Sequence, residues 1–126
     1  VKASNAEAAD AFGLSVSLSS DGNTLAVGAS IEKGDASGFN GAPSNNAATA
    51  AGAAYVLKRS GGVWSQQSYL KASNAGAGDK FGTVVALDAN GDTLAVAAPY
   101  EASNAVGVNG DQANNAATDA GAVYVY

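Results

Sequence analysis

An all-β fold of tandem four-stranded antiparallel units is predicted by three features of the chain. The sequence repeats itself without a gap at an offset of 69 residues, and 32 of the 57 superposed positions are identical. Within each copy, apolar and polar residues alternate with the period of two that a half-buried strand requires. No segment sustains a 3.6-residue period, and the alanine runs are broken by Gly, Asn and Pro. The offset divides the 126 residues into a first unit, 1–69, and a second, 70–126, that stops before the match to its last strand. The expected assembly is therefore open, with about two units and the second incomplete.

The first hairpin of a unit comes from Leu14, Val16 and Leu18 alternating with Ser15, Ser17 and Ser19, then Asp21-Gly22, then Leu25 and Val27. Asp-Gly suits the centre of a type I′ turn, where both residues need φ > 0. That register sets Leu18 against Leu25 and Val16 against Val27, so the large side chains share one face. In the second copy Asn90-Gly91 takes the turn, with Leu87 facing Leu94 and Val85 facing Val96. A second hairpin follows in the first unit: Ala53 to Lys58, a turn at Ser60-Gly61-Gly62, and a return strand from Val63 to Lys71. Between the hairpins lies a polar loop of roughly twenty residues, longer than an ordinary connection and so either functional or internally organised. Its repeated core, Asn-Gly and then Asn-Asn-Ala-Ala-Thr, favours organisation, because Asn and Thr side chains satisfy backbone groups locally.

Phe12-Gly13 stands about sixteen residues before Gly28-Ala29-Ser30, and Phe81-Gly82 stands equally far before Ala97-Ala98-Pro99. With the endings "GDTLAVAAP" and "GAVYVY", this pattern resembles the FG-GAP repeat of bacterial extracellular proteins and integrin α chains, although neither copy has the full Gly-Ala-Pro triplet. The resemblance implies β-propeller blades, packed face to face, with Leu and Val on one face and small Ala, Ser and Gly on the other. It also implies calcium in the first hairpin loop of many relatives. Here the turns at Asp21-Gly22 and Asn90-Gly91 carry too few oxygens to form such a cage, so they read as chain reversals.

The remaining calcium candidates are Asn109, Asp111, Asn115 and Asp119 in the second long loop, with Asn114 beside them; local backbone hydrogen bonding is the competing reading. The first copy has alanine in place of both carboxylates, at Ala42 and Ala50. No other cofactor is expected. Phe12 and Phe81 read as packing anchors, Gly13 and Gly82 as sites of close backbone approach. Asp10 and Asp79 read as turn caps. Trp64, Tyr69, Tyr100, Tyr124 and Tyr126 would either cover the sheets or offer a surface for a glycan or protein.

Composition narrows the function classes. With a net charge of −5 and only six Lys and Arg, scattered along the chain, the sequence is unsuited to nucleic acid or to anionic membranes. There is no Cys or His, so disulfides, thiolate metal sites and the usual nucleophile-base pairs have no residues to use. No stretch approaches the ~18 consecutive apolar residues of a spanning helix. The absence of methionine suggests a processed or excised segment. The expectation is a secreted or cell-surface, non-catalytic structural or adhesion module that associates through open blade edges or faces, with an extracellular protein or glycan as a further partner. The alternatives are a subunit of a self-assembling extracellular filament and a propeller appendage of a secreted enzyme.

Overall fold

A computed structural model describes all 126 residues. The fold is all-β and holds seven strands: β1 (Ser15–Leu18), β2 (Thr24–Ala29), β3 (Ala53–Ser60), β4 (Val63–Leu70), β5 (Val84–Leu87), β6 (Leu94–Ala98) and β7 (Ala122–Val125). They form one four-stranded antiparallel sheet, β1-β2-β3-β4, and one three-stranded antiparallel sheet, β5-β6-β7, with no closure into a barrel.

The hairpin registers follow from the alternation. Leu18 pairs with Leu25 and Val16 with Val27 in the first sheet, and Leu87 pairs with Leu94 and Val85 with Val96 in the second. The turn type is corrected. Gly22 has φ +70° and Gly91 +73°, whereas Asp21 and Asn90 are not in the left-handed region, so neither turn is type I′. A two-residue reversal is replaced by a wider loop because side chains satisfy its backbone. Ser19 N donates to Thr24 O at 2.9 Å, but the return bond from Thr24 N goes to the Ser19 hydroxyl, also at 2.9 Å. The paired left-handed glycines that a type I′ turn requires are Gly61 and Gly62, at +57° and +83°, between Ser60 and Val63.

The two sheets stack with unlike faces in contact. Ala26, Ala54 and Leu70 of the first sheet pack against Val85, Leu94, Val96 and Tyr124 of the second, and Phe81 is buried between them. Backbones approach closely at this seam: a side chain on Gly82 would collide with the Ala53 carbonyl, and one on Gly28 with the Gly82 carbonyl. The seam also has polar stitches. The Ser15 hydroxyl accepts from Val85 N at 3.0 Å and the Ser17 hydroxyl from Leu87 N at 2.9 Å, so outward-facing N–H groups of the edge strand β5 are satisfied across the gap. Both hydroxyls lie on the face away from Val16 and Leu18.

The outer faces of the stack are only partly covered, as an open two-sheet assembly leaves them. Val27, Tyr55, Leu57 and Tyr69 lie under Ala3 and Phe12, but Val16 is 61% and Leu18 56% exposed. On the far side of the second sheet Val84, Val123 and Val125 are 55%, 67% and 68% exposed. That face is also less uniformly small than expected, since Val84 and Val123 stand where the first sheet has Ser15 and Ala54.

Candidate functional site

The long loops are organised around a buried carboxylate in each copy. In the first, Glu32 is 1% exposed; its Oε1 accepts from Asn5 Nδ2 at 3.2 Å and its Oε2 from Gly34 N at 3.0 Å. Asn5 Nδ2 also donates to Pro43 O, and its Oδ1 accepts from the Tyr55 hydroxyl at 2.8 Å. One asparagine thus ties the N-terminal segment, the loop and β3 together. The second copy reproduces this node, with Asn74 Nδ2 donating to Glu101 Oε1 at 2.8 Å and to Gln112 O at 3.2 Å, and the Tyr124 hydroxyl donating to Asn74 Oδ1.

The copies part at the second carboxylate oxygen. Lys71 Nζ reaches Glu32 Oε2 at 2.8 Å, forming an ion pair with side chains 0% and 2% exposed. Burial pushes the Lys71 ammonium below its ordinary pKa, and the hydrogen bond and charge of Glu32 pull in the opposite direction. Glu101 is equally buried, at 2%, and has no cation; its Oε2 accepts from the Ser103 hydroxyl at 2.9 Å and its Oε1 also accepts from Ser103 N at 3.0 Å. A groove of about 800 Å³ opens there, bordered by Ser73, Glu101, Asn109, Gln112 and the edge strand β7.

These groups were missed in the sequence because no motif marks them. The available signal was positional: Asn5 and Asn74, Glu32 and Glu101, and Tyr55 and Tyr124 are identical pairs at the 69-residue offset. The second copy contains no lysine partner to complete a pattern.

The sequence candidates fall elsewhere. Asn109, Asp111, Asn115 and Asp119 are all exposed, and Asp111 Oδ1 is engaged by Ala113 N at 2.9 Å. No group of three or more Asp, Glu, His or Cys is placed to hold a metal ion. Asp21 binds its own turn, accepting from the Ser19 hydroxyl at 2.6 Å and from Asn23 N at 2.9 Å, and these bonds hold its carboxyl at about 2. In the second turn that role moves to Asp88, whose Oδ1 accepts from Asp92 N and Thr93 N; the bonds hold its carboxyl below the ordinary value. Asn90 occupies the position equivalent to Asp21.

Phe81 is fully buried with its ring edge-on to Tyr124 at 5.4 Å, while Phe12 is half-buried against Tyr55 at 5.2 Å. Gly13 and Gly82 both adopt left-handed backbone, at +94° and +87°, but only Gly82 is a site of close backbone approach; the expectation is corrected for Gly13, which faces open space. Asp10 accepts from Glu7 N and Asp79 from Gly76 N, and burial raises the Asp79 carboxyl above its ordinary value. The aromatics do not form a common outer surface: Tyr69 and Tyr124 are in the core, and Tyr100 lies open at 43% with Lys80 Nζ 4.4 Å from its ring centre.

Residues 64–126, half of the chain, match the FG-GAP repeat family. The chain belongs to that family. The match runs from β4 through β7 of this FG-GAP protein. No curated protein and no solved structure matches it.

Proposed function

We propose that this β-propeller-type repeat protein is a non-catalytic structural or adhesion module that works outside the cell and associates through its open sheet faces. The observation that carries the reading is the asymmetry of the stack. The small face of the first sheet is packed on the large face of the second, while a large face at one end and a face of Val84, Val123 and Val125 at the other stay open. Contacts of that kind join a face to a different face, so they propagate head to tail. Exposed apolar faces of this type are characteristic of association sites. No helix is long and apolar enough to cross a membrane.

Light scattering across a hundredfold range of concentration tests the reading. The expected result is mass that rises with concentration and falls when Val123 and Val125 are both replaced by Lys. A well-folded monomer throughout would overturn it. A filament subunit is a second reading, favoured by the same head-to-tail geometry; electron microscopy of concentrated samples would then show strings of uniform width.

A further inference from the structure

We infer that the first repeat closes on itself covalently, through an amide bond in which the Lys71 amine replaces the Asn5 side-chain nitrogen. Glu32 carries the proton and ammonia leaves. This cross-link goes beyond the structural-module reading and needs no self-association. One buried carboxylate holds both reacting groups: Glu32 Oε2 accepts from Lys71 Nζ at 2.8 Å, and Glu32 Oε1 accepts from Asn5 Nδ2 at 3.2 Å. The ion pair with its attached carboxamide is therefore the reactant state of a condensation.

The groups around the pair are those the reaction needs. Lys71 and Glu32 are fully buried, and burial lowers the Lys71 pKa, which raises the share of nucleophilic free amine. The Tyr55 hydroxyl donates to Asn5 Oδ1 at 2.8 Å, so it polarises the carbonyl and supports the oxygen where negative charge develops. Asn5 Nδ2, the leaving nitrogen, is fixed between Glu32 and Pro43 O at 3.0 Å, facing the group that must protonate it. The Tyr69 hydroxyl lies beside the Glu32 carboxylate at Gly34, buried and without a partner, a donor that the resting ion pair leaves unused. Holding amine, carboxylate and amide together removes most of the entropy cost of their meeting. The movement still required is of Nζ from Glu32 Oε2 to Asn5 Cγ, along a flexible side chain.

The steps balance without a cofactor or any change of oxidation state. Glu32 takes a proton from the Lys71 ammonium, the freed lone pair forms a bond to Asn5 Cγ, and Glu32 passes that proton to Nδ2. The Cγ–Nδ2 bond breaks with its electron pair going to nitrogen, and the departing ammonia removes one further Nζ proton as ammonium. An ammonium and a primary amide become a secondary amide and an ammonium ion. The product ties the N-terminal segment to the end of β4 and so encloses nearly the whole first unit.

Intact mass and a tryptic map of the folded, unaltered protein test this. The expected mass is one ammonia below that of the sequence. Trypsin should fail to cut after Lys71 and should release a branched species joining residues 3–33 to residues 60–80. The full sequence mass with normal cleavage after Lys71 would overturn the inference, and so would loss of ammonia without the branched species, as a succinimide at Asn40-Gly41 would give. Glu32→Gln keeps the hydrogen-bonding shape but cannot carry the proton, and should leave the full mass; a cross-link formed in that variant would overturn the role of Glu32. Should the variant not fold, the branched species in the unaltered protein decides alone. A cross-linked protein that stays monomeric in light scattering would end the face-association reading and leave this one standing.

Discussion

The two loop-and-carboxylate sites begin from the same residues and finish differently. Asn5, Glu32 and Tyr55 in the first copy, and Asn74, Glu101 and Tyr124 in the second, make the same set of bonds. The first is closed by Lys71, 39 residues further on and just past the end of β4; the second has the Ser103 hydroxyl in place of a charge. The difference shows that the scaffold around the carboxylate is local to each unit, whereas its neutralisation is a long-range event that requires a fourth strand. Desolvating both ions offsets most of their attraction, so the pair adds little net stability, but removing one member strands the other.

The largest difference between the copies should appear at the shared Phe-Gly motif. Phe81→Ala empties a site enclosed by both sheets and should cost about 4 kcal/mol, whereas Phe12→Ala at its half-exposed counterpart should cost about 2 kcal/mol or less. Urea denaturation of the two variants decides this, and equal losses would break the contrast between an enclosed seam and an open face.

Next comes the carboxylate pair. Lys71→Met leaves Glu32 buried without its cation and should lower stability by about 3 kcal/mol. Glu101→Gln, where there is no cation to lose, should cost about 1 kcal/mol or less. Restoring stability in the Glu32→Gln, Lys71→Met double variant would tie the loss to the stranded charge.

The smallest effect is expected at the two turns. The folded-state pKa values of Asp21 and Asp88 lie below their unfolded values, so each carboxylate contributes stability that is fully present above about pH 4 and is lost as pH falls. For Asp21 the loss is centred between about pH 4 and its folded value of about 2. Asp21→Asn and Asp88→Asn should each flatten the acid limb of the unfolding midpoint against pH. A limb unchanged by either substitution would mean that the turn carboxylates are not what acid titrates.

Much of the fold was legible because alternation and repetition are local signals. The strand pairs Leu18 with Leu25 and Val85 with Val96 follow from counting outwards from the turns. The turns themselves were misread because an Asp-Gly dipeptide does not reveal that the Ser19 hydroxyl and the Asp21 carboxylate take over the backbone bonds of a wider loop. The candidate site was less legible still. The oxygen-rich loop drew attention to Asn109, Asp111, Asn115 and Asp119, which stay exposed, and away from Glu101, a single acidic residue with no spacing pattern around it.

The sequence by itself determined the β class, the 69-residue repeat, the hairpin registers and the membership in the FG-GAP family, since all four depend on order along the chain. Only the tertiary structure decided which face meets which, that Ser15 and Ser17 stitch the seam, and that Lys71 closes one carboxylate while Ser103 engages the other. The physical reason is range. Periodicity is set by neighbours a few residues apart, whereas burial and charge pairing depend on segments that meet only after the sheets have stacked.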